Sequence, residues 1–278
     1  MKVIDTYNDI LNLFQNSKNK FDQKLWQIYA CEISAELPEK CFNDSASYDF
    51  NKNIQPVLDN TINSKAKLKE AHNSFLSITK GLNERLVNVL GMDLEVDIIL
   101  YVGLCNGAGW VTKLDNKSVI LLGIEKIVEL DWCDINSMTA LIYHELGHIW
   151  HDTIGSLYVN TNAISERSVL QLYQEGMAMY FEQILLNDFT YYHQDENGWL
   201  SWCEENKKNL FIEYKKRIDT DESIQDFFGD WCNYQGYSDV GYYLGCELIK
   251  SLVPKYSLEE LANLKIKDIY TELCNLTI

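Results

Sequence analysis

Apolar residues recur at helical spacing over the first third of the chain. Ile10, Leu11 and Phe14 form one stripe, and Phe21, Leu25, Trp26 and Tyr29 form a second. Leu37-Pro38 is expected to end that second helix, because the residue before a proline avoids the helical region. Asp44 to Lys52 reads as a polar loop. Pro56 suits the first turn of a long helix, where its missing N–H costs nothing. The apolar positions of that helix run through Leu58, Ile62, Leu68, Phe75, Leu76, Leu82 and Leu86 toward Leu90.

The period changes after residue 91. Val96 to Val102 is apolar and β-branched, and Trp110–Thr112 and Val119–Leu122 read as two further strands. Asp115-Asn116 between them has the composition of a hairpin turn. From residue 136 the pattern is helical again. Asn136 or Ser137 can cap a helix ending near Gly155, and Ser165 can cap another running to about Asn187. A polar, aromatic-rich stretch through Tyr191, Tyr192, Trp199 and Trp202 precedes two or three more helices. The expectation is an α+β chain, predominantly helical, with a helical region over 1–90 and a second region over 91–278 running on from it as one continuous unit.

Composition narrows the function. The chain has 278 residues, 46% of them apolar, with only 3 Pro and 14 Gly, so it is neither collagen-like nor disordered. Lys plus Arg is 24 against Asp plus Glu 41, a net charge of −17. Such a surface repels phosphate backbones and anionic lipid, so neither nucleic acid nor membrane is an expected partner. No run reaches the ~18 apolar residues of a membrane span. Polar and acidic residues interrupt the first ten positions, unlike a secretory signal. None of the 8 cysteines forms a Cys-x-x-Cys pair, and the expectation is reduced thiols in the cytoplasm. Nothing in the pattern fixes an oligomeric state.

Three of the 5 histidines lie in Tyr143-His144-Glu145-Leu146-Gly147-His148-Ile149-Trp150-His151. His144 and His148 are four apart, so they share one helix face and can reach one metal. Glu145 projects beside them, where a carboxylate can take a proton from an activated water. A catalytic zinc needs a third protein ligand and an open fourth position. The next helix reads Leu172-Tyr173-Gln174-Glu175-Gly176-Met177-Ala178-Met179-Tyr180-Phe181-Glu182. Glu175 is the favoured ligand and Glu182 its competitor. Gly176 and Ala178 beside Glu175 would let this helix approach the histidine-bearing one closely.

His144-Glu145-x-x-His148 followed by Glu175-Gly176-x-Ala178-x-Tyr180 resembles the gluzincins, the zinc metallopeptidases of the thermolysin and aminopeptidase type. Within that group it is most similar to an uncharacterised family of predicted zinc-dependent proteases. Leu121-Leu122-Gly123-Ile124-Glu125 and a Gly-Tyr-x-x-Gly stretch at Gly241-Tyr242 add to the likeness, which spans about residues 96 to 250. It implies a zincin-like catalytic domain with a small β-sheet over the histidine-bearing helix. It also implies one Zn2+ per chain on His144, His148 and Glu175, with Glu145 as general base, and a peptide or protein substrate. Gluzincins align substrate along an edge strand, which points to Ala108, Gly109 and Trp110. They polarise the scissile carbonyl with a Tyr or His from the C-terminal helices; Tyr242 is the first choice, with Tyr243, Tyr237 and His193 open. Asp152, four residues after His148, matches the thermolysin helix. The Asp that thermolysin places four residues after its third ligand is replaced by Met179, so the partner of a ligating His must come from elsewhere. The metzincin pattern is broken at His151 and Ile154, and the Gly-x-Met-x-Asn of zinc aminopeptidases is missing. Peptide deformylase fits poorly, since Gly103-Leu104-Cys105-Asn106 does not match its cysteine motif. The rival reading is a non-catalytic interaction protein on a vestigial zincin fold.

Overall fold

A computed structural model describes residues 1–18, 20–155, 161–229 and 231–276. Within the 91–278 region, 156–160, 230 and 277–278 thus lie outside the described residues. The chain divides into two compact units, Met1–Glu145 and Leu146–Ile278. The division falls inside one continuous helix.

The first unit opens on strand β1 (Lys2–Asp5), followed by helices α1 (Tyr7–Asn16), α2 (Gln23–Ile33) and α3 (Leu37–Ser45). A π-helical turn, Phe50–Ile54, leads into α4 (Gln55–Asn63), α5 (Lys65–Thr79) and α6 (Leu82–Leu90). Strands β2 (Asp97–Tyr101), β3 (Gly109–Leu114) and β4 (Lys117–Gly123) then precede α7 (Ile124–Glu129) and the start of α8 (Ile135–Ile154). The four strands form one open sheet in the order β1-β2-β4-β3. β1, β2 and β4 run parallel, and β3 is antiparallel to β4 and lies at the edge. Ile98, Ile99 and Leu100 of β2 and Ile120, Leu121 and Leu122 of β4 are all buried, as in sheets covered on both faces. Asp115 and Asn116 both have positive φ, 50° and 63°, the backbone of a two-residue hairpin turn.

The structure corrects several expectations. Lys2–Asp5 is a strand inside a region read as wholly helical; its register partner, Asp97–Leu100, is some 95 residues away in sequence. The long helix after Pro56 is three helices, broken at Ser64 and at Gly81, whose φ is +69°. Pro56 does sit in the first turn of α4. α2 ends earlier than expected, at Ile33, because Ser34 turns extended, and Leu37-Pro38 begin α3 instead of ending a helix. Helix α8 is capped by Asp134, whose Oδ1 accepts from the N–H groups of Asn136 and Ser137 at 2.8 and 3.2 Å.

The second unit holds the rest of α8 and α9 (Ile164–Leu186), α10 (Trp199–Thr220), a 3-10 turn at Gln225–Phe227, α11 (Val240–Leu252), α12 (Leu258–Ala262) and α13 (Ile266–Asn275). Among the described residues four α-helices therefore follow α9. α9 ends at Asn187 in the left-handed conformation, but Ser165 lies inside it and Ala163 is at the cap position. Gly176 of α9 and Gly245 of α11 meet backbone to backbone: a methyl built on either would overlap the other helix. The chain is mostly helical with a small open sheet, an α+β fold.

Candidate metal centre

His144 and Glu145 on α8 are 4% and 6% exposed, so this polar stripe is buried rather than solvent-facing. The apolar side of the helix is buried too, at Leu141, Ile142, Leu146 and Ile149. Burying imidazole and carboxylate is costly unless they are hydrogen-bonded, paired or metal-bound. Two groups of His and Glu side chains meet this demand. In the first, one nitrogen each of His144 and His148 and an oxygen of Glu175 all lie within 4.8 Å of one another. In the second, His144, Glu182 and His193 satisfy the same limit. A buried His/Glu cluster able to coordinate a metal ion is therefore present.

The spacings inside the two groups differ in kind. His148 Nε2 and Glu175 Oε2 are 3.3 Å apart. Two donors ~2.0–2.1 Å from one tetrahedral ion stand about 3.3 Å from each other, so the spacing of this pair is compatible with one shared metal ion. His193 Nδ1 and Glu182 Oε2 are 2.9 Å apart, the spacing of a hydrogen bond. The amide nitrogen of Gln194 lies 2.8 Å from His193 Nε2, so both ring nitrogens of His193 meet a polar neighbour. Glu182 is fully buried and the His193 side chain is 6% exposed. The sequence leaves His193 open as a carbonyl-polarising group and Glu182 as a rival ligand; the structure pairs the two. One signal pointed there: Glu182 follows Glu175 by seven residues, two helical turns, and so returns to the same face.

The small residues around Glu175 serve two different neighbours. Gly147 of α8 packs on Ala178, a methyl built on Gly147 coming 2.8 Å from the Ala178 Cα. Gly176, expected to admit the histidine-bearing helix, instead admits α11 at Gly245.

Gly109 begins the edge strand β3, and a methyl built on it would overlap the Glu145 side chain. Gly109 and Trp110 are half-buried, but Ala108 is 7% exposed and its carbonyl already accepts from the Gly123 N–H at 2.9 Å.

Among the tyrosines, Tyr243 is 3% exposed and packs against Tyr192 and Trp199, and Tyr237 stacks on Trp202 at 4.3 Å. Tyr242 is half-buried, its ring centroid 6.4 Å from that of His193. His151 is buried edge-on to Tyr173, and burial, helped by nearby His148, pushes its imidazole down to about 4. His72 is 2.8 Å from Asp5 and stacks on Tyr7. Met179 is fully buried and Asp152 half-buried.

No disulfide joins the described cysteines. Among the described residues no helix is long and apolar enough to cross a membrane. No protein-family model matches this chain, and no curated protein or solved structure matches it significantly.

Proposed function

We propose that the protein is a zinc-dependent peptidase of the gluzincin type. The observation that carries this reading is the His144, His148 and Glu175 group on α8 and α9, with the 3.3 Å His148–Glu175 spacing. These three residues would hold the ion. Zinc, when bound, supplies Lewis acidity that makes water nucleophilic near neutral pH and polarises a carbonyl. Glu145 acts as general base, taking the proton of the attacking water and returning it to the leaving amine. Gly109 gives the Glu145 side chain its room, and the free edge of β3 is where an extended peptide would add as a strand along Ala108, Gly109 and Trp110. This contact supports the expected zincin layout of a small sheet beside the histidine-bearing helix.

Glu182 takes the place left by Met179. Its carboxylate lies within 4.8 Å of a ring nitrogen of His144 and accepts from His193, and such a carboxylate orients a ligating imidazole. Tyr242, beside His193, is the group to polarise the developing oxyanion. The cysteines suit a reducing, cytoplasmic setting.

Metal analysis by mass spectrometry tests the reading. About one zinc per chain is expected, lost in His148→Ala. A peptide-library screen with the zinc-loaded protein should then show cleavage that Glu145→Gln removes. Absence of metal uptake would overturn the hydrolase and leave the interaction protein as the better account.

A further inference from the structure

Glu125 is fully buried in the first turn of α7, and the chemistry above does not use it. Its carboxylate accepts from the N–H of Gly103 at 2.9 Å and of Cys105 at 3.1 Å. These residues belong to the segment that carries β2 into β3. The segment is demanding: Cys105 has φ +60° and Gly107 φ +142°. A non-glycine residue in the left-handed region persists only where its surroundings hold it. Glu125 is part of that hold. The carboxylate fills a slot left by two glycines. A methyl built on Gly103 would stand 2.9 Å from Glu125 Oε1, and one on Gly123 would stand 3.3 Å from it.

Asn106 makes the second tie. Its Oδ1 accepts from the Leu104 N–H at 3.0 Å, and its Nδ2 donates to the Cys41 carbonyl at 3.0 Å and to Asp44 at 2.9 Å. The segment ends at Ala108, bonded to Gly123, and the next residue is Gly109 against Glu145. Little slack separates the carboxylate of Glu125 from the place where β3 starts.

We propose that Glu125 is a positioning residue for peptide hydrolysis. By holding the N–H groups of Gly103 and Cys105 it fixes the start of β3, and with it the backbone that meets a peptide beside Glu145. The inference rests on the reading of β3 as the strand that aligns substrate. A glutamate suits the task because each of its two oxygens accepts one N–H, whereas a glutamine offers one acceptor and turns its amide donor toward the other N–H. The titratable groups around it are Tyr29 of α2, Cys41 of α3, Tyr101 of β2 and Lys126 of α7. Burial raises the two phenols and the thiol, so all three stay neutral near pH 7 and Lys126 is the cation among them.

The test is steady-state kinetics on a peptide that the wild type cleaves, using zinc-loaded wild type, Glu125→Gln and Asn106→Ala, with zinc content and circular dichroism measured for each. For Glu125→Gln we expect KM to rise roughly tenfold, kcat to stay within about threefold, and zinc content to be unchanged. Asn106→Ala, at a half-buried side chain tying the same segment, should raise KM in the same direction by less. A folded, zinc-loaded Glu125→Gln with wild-type KM overturns the inference, and so does a loss of kcat that follows loss of zinc. If Glu125→Gln does not fold, Asn106→Ala decides, and an unchanged KM there overturns it. Failure of the wild type to cleave any peptide sinks the peptidase reading and this inference together. Cleavage by the wild type with unshifted variants sinks this inference alone.

Discussion

The two units of the chain hold their chemical groups by different means. In the first, His144 apart, two carboxylates lean on backbone: Glu145 lies over Gly109, and Glu125 binds the N–H groups of Gly103 and Cys105. In the second, carboxylates meet imidazoles, Glu175 with His148 and Glu182 with His193, and the helix that carries both carboxylates is seated glycine on glycine. On the proposed function, proton handling would depend on where a strand begins, and metal holding on the rotational phase of a helix. Substitutions in the first set should cost turnover and spare the metal. Those in the second should cost the metal.

The sharpest division is expected at Glu145. Glu145→Gln should lower kcat on a cleaved peptide by roughly 10²–10⁴-fold, the usual contribution of a general base, with zinc content unchanged in the same preparation. If zinc leaves with activity, the division between the two sets is broken. Glu175→Ala should do the reverse and release most of the zinc when the protein is dialysed against a chelator. Glu182→Gln should weaken zinc binding by about 10–100-fold in a competitive titration, the cost typical of removing a partner of a ligating histidine. A Glu182 variant that loses more zinc than the Glu175 variant would exchange their roles.

Smaller effects sharpen the comparison. Gly176→Ala puts a methyl into the α11 backbone and should destabilise the protein by about 1–3 kcal/mol in urea unfolding, as overpacking does. A change of sign with pH should also separate the units, because burial opposes charge on an acid and on a base alike. Burial raises the Glu125 carboxyl from 4.5 to about 7, against the pull of the Gly103 and Cys105 N–H groups and Lys126. The folded chain thus binds the proton more tightly than the unfolded one. This contribution is complete below about 4.5 and is lost as pH rises through about 7, at most roughly 3 kcal/mol. His151 moves from 6.5 down to about 4, so its contribution is complete above 6.5 and is lost as pH falls toward 4. Across the window between 4.5 and 6.5 the two slopes oppose. Glu125→Gln should therefore remove the decline toward neutral pH in urea titrations and leave the acid-side loss in place; an unchanged profile would show that Glu125 titrates alike in both states.

Local patterns made part of this legible. The four-residue spacing of His144 and His148, the Asp115-Asn116 turn and the Pro56 helix start each depend on neighbours in sequence, and each stands where it was expected. β1 is not legible because its four residues, three of them exposed, gain a partner only at Asp97–Leu100, beyond the reach of any periodicity. The break at Gly81 was available as a glycine within a helical pattern, yet the stripe continues in phase across it and hides the turn. The neighbour of Gly176 was misjudged for a related reason: a small residue shows that something approaches, not which helix it is. His193 was hidden because its partner, Glu182, comes from another element.

The glycine crossing of α9 and α11 has a mechanical meaning. Side-chain interfaces can slip by swapping rotamers, but two touching backbones have nothing to swap. α9 can neither roll about its axis nor slide along it without one main chain colliding with the other. Gly176 adjoins Glu175, so the detent sits at the very position whose angle matters most. The crossing works as a keyway, holding one carboxylate and, two turns on, a second in a single angular setting.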